Sequence, residues 1–282
     1  MAIFTNYATL TYNGVTVTSN TVTGELPEVL QLSKVPVTED YTAGDRVTYV
    51  ISLVNTGGTA LTGLTLTDDL GGYAYEGGTL YPLACTPGSL RLFLDGELRA
   101  APAYTPGPPL VISGVDLPAG ASAELIYETA VTAYAPLTPG SGITNTVTAS
   151  GAGAGPISAQ ATVTPENRAD LRIQKQLAPD VAPRGSDVTY TFTIQNYGNT
   201  PAAPGDDLGM TDLFRPVLTG LQAAMNGTPW VPGTNYSYDE ATGLFSTLPG
   251  QLSVPAAVYT RDSGGAWTVV PGETVLTVTG RI

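Results

Sequence analysis

Laid against itself, the chain matches at a constant offset of 141 residues, and this internal repeat limits what it can fold into more than any other feature. Leu30-Gln-Leu32-Ser-Lys34 pairs with Leu171-Arg-Ile173-Gln-Lys175, Gly44-Asp-Arg-Val47-Thr-Tyr49 with Gly185-Ser-Asp-Val188-Thr-Tyr190, and Asn55-Thr-Gly57 with Asn196-Tyr-Gly198. A slightly shifted match sets Thr67-Asp68-Asp-Leu70 against Thr211-Asp212-Leu-Phe214, and Pro118-Ala-Gly120 resembles Val270-Pro-Gly272. Two copies of one unit are therefore expected, at 30–166 and 168–282, each burying its own core.

The unit reads as all-β. Only 12% of residues are charged, with Gly 33 and Pro 23, and Thr, Val and Leu recur in short runs bounded by turn residues. Tandem immunoglobulin-like sandwiches of about 100 residues each fit the length. A formal charge of −13 with 11 scattered Lys and Arg disfavours nucleic acid and anionic membranes as partners. No stretch is long and apolar enough for a membrane span, and the first residues show no signal-peptide pattern. Release by mother-cell lysis is one export route compatible with that. With no histidine, Ser-His-acid and Cys-His catalysis cannot be built, so an enzyme is not expected, and Cys85 reads as a small core residue. No cofactor or metal is expected: the acidic pairs Asp68-Asp69, Asp206-Asp207 and Asp239-Glu240 lack calcium-loop spacing and suit solvated turns.

The order of a strand bearing Lys, a Gly-x-x-Val-Thr-Tyr strand, an Asn-x-Gly turn, Thr-Asp, Pro-x-Gly and a Thr-Asn strand resembles the surface-protein repeat family called domain of unknown function eleven. The resemblance covers most of the chain and implies an immunoglobulin-like sandwich in an extracellular structural or adhesive setting. More loosely, the chain is similar to proteins of clostridial spore appendages.

The first copy closes with two strands, Ile143-Thr-Asn145-Thr-Val147-Thr and Ala161-Thr-Val163-Thr, that the second copy lacks. A match stands instead at residues 1–25, in Phe4-Thr-Asn6-Tyr-Ala8-Thr and Asn20-Thr-Val22-Thr. These residues read as a donor hairpin with Phe4, Ala8, Leu10 and Val22 facing inward. It either pads its own first domain or completes the second domain of the next subunit, and the short linkers at 24–29 and 164–170 favour the latter. Head-to-tail completion that does not close on itself builds a filament, making the chain its own partner.

Strand alternation turns a Lys, an Asp and an Asn of each copy toward the apolar side. In the first copy these are Lys34, Asp68 and Asn145; in the second, Lys175 and Asp212 with Asn6 of the hairpin. Two arrangements satisfy such a trio. One is a buried ion pair with a hydrogen-bonded amide. The other is an isopeptide bond, in which a desolvated amine attacks the Asn carboxamide while the acid shuttles protons.

The segment from Gly227 to Trp267 enlarges the second repeat and carries Trp230, Tyr236, Tyr238 and Trp267. Exposed, these rings would bind carbohydrate or a partner surface; packed, they would anchor a long connection. The sequence as a whole points to a structural subunit of an extracellular fibre on a cell or spore surface. Its alternative is a monomeric adhesin or carbohydrate-binding module.

Overall fold

The computed structural model describes residues 2–26, 29–151 and 154–282. Met1, Pro27 and Glu28, which the hairpin and its linker include, and Ala152 and Gly153 lie outside the described residues. Every regular element among those described is a β-strand. The chain divides into two compact units, Met1–Pro136 with Gly142–Thr164 and Leu137–Ser141 with Pro165–Ile282. The stretch Leu137–Ser141, expected in the first domain, joins the second unit, where the Leu137 carbonyl accepts a bond from the Asn199 side-chain amide at 3.1 Å.

The first unit is a sandwich of two antiparallel sheets. One runs in the order Glu97–Arg99, Arg91–Leu94, Ser122–Val131, Arg46–Asn55, Leu30–Pro36. The other runs Ala103–Thr105, Leu110–Leu117, Leu61–Asp68, Ile143–Gly151, Ala154–Pro165, Asp40–Tyr41. Alternation drives the packing: in Arg46–Asn55, Val47, Tyr49, Ile51, Leu53 and Asn55 are buried, while the residues between them are only partly so. From the facing sheet, Leu64, Leu66, Ile112 and Val147 complete the same core.

The second unit repeats five strands of the first sheet in the same order, as Thr228–Trp230, Thr219–Met225, Gly272–Arg281, Asp187–Asn196 and Leu171–Ala178, without a counterpart among its described strands of Leu83–Cys85, which pairs with Ser122–Val131 in the first unit. Its second sheet is shorter, with only Thr211–Leu213, Leu244–Thr247 and Tyr236–Asp239. Counterparts of Ile143–Gly151, Ala154–Pro165 and Asp40–Tyr41 are absent among its described strands, so Thr211–Leu213 forms the sheet edge.

Residues Ala2–Asn6 and Val22–Leu26 pair antiparallel, as do Thr9–Tyr12 and Val15–Thr18, forming a hairpin that is interrupted near its middle. Asn13 and Gly14 at its tip have φ of 49° and 80°, the two positive values a two-residue type I′ turn needs. Cross-strand pairing places Leu10 opposite Val17, Tyr12 opposite Val15 and Asn6 opposite Val22, whereas the alternate positions pair Thr5 with Thr23, Thr9 with Thr18 and Thr11 with Thr16. The hairpin therefore has an apolar face and a threonine face. Phe4, Leu10, Tyr12, Val15, Val17 and Val22 are all exposed in the isolated chain.

The repeated Asn-x-Gly motif proves to be a backbone clamp. The Asn55 side-chain amide donates to Thr59 O, Leu117 O and Pro118 O, and its oxygen accepts from Gly57 N. Asn196 does the same with Thr200 O, Pro255 O and Gly198 N, and also accepts from Asp170 N. A Cβ on Gly198 would collide with the Arg168 carbonyl, whereas on Gly57 it would meet Val29 Cβ at 3.0 Å, a tight contact with a side chain. Gly198→Ala is therefore expected to destabilise the second domain by about 1–3 kcal/mol, and Gly57→Ala to cost the first domain less. Thermal melts of the two variants check this.

Candidate functional site

Lys34 lies on the edge strand of one sheet, and Asp68 and Asn145 on two strands of the other; all three side chains meet in the core of the first unit. Lys34 Nζ donates to Asp68 Oδ2 at 2.6 Å, and both side chains are shielded from solvent, at 0% and 1% exposure. Asp68 Oδ1 accepts from Leu70 N at 3.0 Å, and Oδ2 also accepts from the Tyr127 hydroxyl at 2.5 Å. That hydroxyl in turn accepts from Asn145 Nδ2 at 3.4 Å. Asn145 Oδ1 and the Tyr49 hydroxyl are buried with no hydrogen-bond partner among the described residues. Lys34 Nζ sits 4.8 Å from the centroid of the Tyr49 ring and 5.9 Å from that of Tyr127, giving the ammonium aromatic contacts in place of water.

Burial lowers the Lys34 pKa from its ordinary 10.5, and attraction to Asp68 opposes the change. Burial, reinforced by the charge of Asp68, raises both tyrosine hydroxyls, so they stay protonated across the ordinary pH range. An amine with a lowered pKa, a carboxylate able to take its proton and a carboxamide in one dry pocket are the components of amide transfer. The two tyrosines carry no motif that sets them apart in the sequence, although the parity that turns Lys34 inward also turns Tyr49 inward beside Val47 and Ile51, and Tyr127 beside Leu125. Cys85 is buried, and burial pushes its thiol up to about 11.

The second unit holds the same pair in an open setting. Lys175 Nζ contacts Asp212 Oδ2, 4.7 Å from the Tyr190 centroid and 5.3 Å from those of Phe192 and Phe214. Yet Lys175 is 41% and Asp212 17% exposed. The strand Leu171–Ala178 is exposed along its whole length, whereas its counterpart buries Leu30 and Lys34. Asn6, the third member expected, belongs to the hairpin, which is assigned to the other unit.

Of the two readings of the aromatic segment, the rings are packed rather than exposed. Trp230 and Tyr236 are buried in the core of the second unit with Phe245 and Phe214. Tyr238 packs against that core, its hydroxyl donating to Leu218 O and accepting from Leu218 N. Trp267 is partly buried beneath the Arg261 guanidinium, 4.6 Å from its ring. The enlarged connection supplies apolar bulk to a unit with a short second sheet, and its rings fill the interior.

No family model and no curated protein matches the chain. Resemblance to the surface-repeat family thus rests on the motifs quoted above. Among solved structures, the major pilin subunit BcpA of Bacillus cereus is 13% identical with a TM-score of 0.38, over 96% of this chain and 73% of that one. The pilus backbone RrgB of Streptococcus pneumoniae is 12% identical with a TM-score of 0.34, over 86% of this chain and 55% of that one. A red sea bream transglutaminase is 15% identical with a TM-score of 0.28, over 89% and 31%. The neighbours mix pilins with an enzyme, so function is read from the chain's own geometry.

Asp68→Ala leaves the Lys34 cation buried without its partner and should cost the first domain at least about 3–5 kcal/mol, read from the shift in denaturant midpoint. In that variant burial acts on Lys34 with less opposition, so its folded pKa lies below the unfolded 10.5. Between those two values the unfolded chain binds more protons than the folded one, and the variant's stability should rise with pH.

Proposed function

We propose that this chain is the structural subunit of an extracellular fibre, in which the N-terminal hairpin of one copy completes the second domain of the next. The observation that carries this reading is a match of register. In the first domain Ile143 pairs with Val163 and Asn145 with Ala161; in the hairpin Phe4 pairs with Gly24 and Asn6 with Val22. Over these residues the spacings are identical, so a single shift in numbering lays Phe4 to Asn6 and Val22 to Gly24 onto Ile143 to Asn145 and Ala161 to Val163, whereas the outer half of the hairpin pairs one residue out of that register, Leu10 with Val17 where Ala149 pairs with Ile157. The second domain offers the complementary surface: Thr211–Leu213 as an open edge, an exposed Leu171–Ala178 strand, and a Lys175–Asp212 pair open to solvent.

Insertion would bring Phe4, Ala8, Leu10 and Val22 against that surface. Burial of these side chains, at about 25 cal/mol per Å2, with ladder hydrogen bonds, supplies on the order of 5–10 kcal/mol before ordering costs. The entire first domain separates the hairpin from the groove in sequence, which favours a second copy as the recipient. Asn6 would then stand toward Lys175 and Asp212 as Asn145 stands toward Lys34 and Asp68. In this reading Lys34 and Asn145 would form an amide bond inside the first domain, and Lys175 and Asn6 one across the joint. The setting is a cell or spore surface.

The test is gel electrophoresis of the full chain and of a variant lacking residues 1–24, under native and under boiling denaturing conditions. Multimers of the full chain that disappear in the deletion are expected. Multimers that resist boiling, and that Lys175→Ala converts to monomers, show the joint to be covalent. A monomer in every sample overturns the fibre and leaves a surface-binding module as the function to pursue.

A further inference from the structure

We propose that Tyr127 carries the proton from Asp68 to the leaving nitrogen of Asn145 when Lys34 and Asn145 form their amide. The inference rests on the bond proposed above and assigns a residue to its hardest step. An amide nitrogen is a poor leaving group until it is protonated, and a donor positioned on it accelerates the cleavage. Among the described residues Asp68 makes its hydrogen bonds to Lys34, Leu70 N and Tyr127 and none to Asn145, and the Tyr127 hydroxyl alone touches both the Asp68 carboxylate and Asn145 Nδ2.

The steps balance as follows. Lys34 passes a proton to Asp68 and becomes a neutral amine. Nζ attacks Asn145 Cγ, forming the new C–N bond. Asp68 gives its proton to the Tyr127 oxygen as the Tyr127 hydroxyl proton moves to Nδ2. The Cγ–Nδ2 bond then breaks and ammonia leaves, while Asp68 takes the second proton from Nζ. The products are a secondary amide, ammonia, a protonated Asp68 and an unchanged Tyr127. No oxidant or cofactor is needed. A phenol held neutral by burial can give and receive a proton in one step without itself becoming an anion.

The second domain provides an internal contrast. Tyr49 pairs across its sheet with Tyr127, whereas Tyr190, its counterpart, pairs with Val278. The joint therefore has the amine and the acid but no hydroxyl at this position. Its amide should form more slowly than the one inside the first domain, and Val278→Tyr should narrow the difference.

The experiment follows the intact mass of the full chain at successive times after a pulse of cell-free synthesis. The wild type should lose the mass of one ammonia per bond formed. Tyr127→Phe keeps the ring and should slow loss of the first-domain ammonia by about 10²-fold or more. Tyr41→Phe, which removes a buried hydroxyl of the same domain that donates to Pro136 O and not to Asp68 or Asn145, should react at the wild-type rate. Equal slowing in both variants would assign the effect to packing and overturn the relay, as would wild-type kinetics in Tyr127→Phe. Should Tyr127→Phe fail to fold by circular dichroism, a fluorinated tyrosine at position 127 preserves the hydroxyl and alters its acidity; an unchanged rate there overturns the relay as well. A wild type that never loses ammonia overturns the bond itself, an outcome separate from failure of the relay alone.

Discussion

A two-sheet sandwich is stable only when every inner face is covered and every inner edge is paired, and in this repeat both conditions are met by one pair of strands. In the first domain, Ile143–Gly151 pairs with Leu61–Asp68, and Ala154–Pro165 continues the sheet to Asp40–Tyr41. Take those strands away and the result is the second domain, where Thr211–Leu213 becomes an edge and Leu171–Ala178 faces solvent. An open edge beside exposed apolar residues is a surface that proteins ordinarily cover. In the proposed assembly the amphipathic hairpin of a second copy would cover it.

The same strands set the electrostatics. Lys34 is tolerable in a core because Asp68 and two tyrosine rings compensate for the lost water. Replacing such a pair with apolar residues often costs nothing, so its presence in both copies calls for a reason beyond stability. The proposed amide transfer would give one: burying the amine and the acid would prepare the groups that are to react. Strand closure also determines when the pair is dry. Lys34 and Lys175 have the same partner type and similar aromatic neighbours, and what separates them is whether a closing strand shuts out water.

Much of this could be read from the sequence, and for specific reasons. Alternation in Leu30-Gln-Leu32-Ser-Lys34 fixed the direction of Lys34, because a strand of regular pleat leaves no choice of face. The hairpin was visible as an echo of Ile143-Thr-Asn145, although its return strand was matched two residues out: a direct alignment sets Val22 against Val163, whereas the cross-strand register sets it against Ala161. Sequence similarity between threonine-rich strands slips easily, and only pairing fixes the register. The aromatic segment was harder. Composition shows that Trp230 and Tyr236 cluster but not that a short second sheet leaves a volume for them to fill, and that volume is a tertiary property. Tyr127 was hidden for a related reason, since its importance lies in bridging two residues that are far apart in the chain.

The sequence of residues 1–26 contains a single charged side chain, Glu25. Apolar contact and backbone pairing, the forces that would hold this hairpin in place, are not screened by ions, whereas the mutual repulsion of chains carrying −13 each is. Added electrolyte therefore removes the main opposition to joining while leaving the attraction intact, and a polymer built this way would tighten in brine and assemble most reluctantly in pure water.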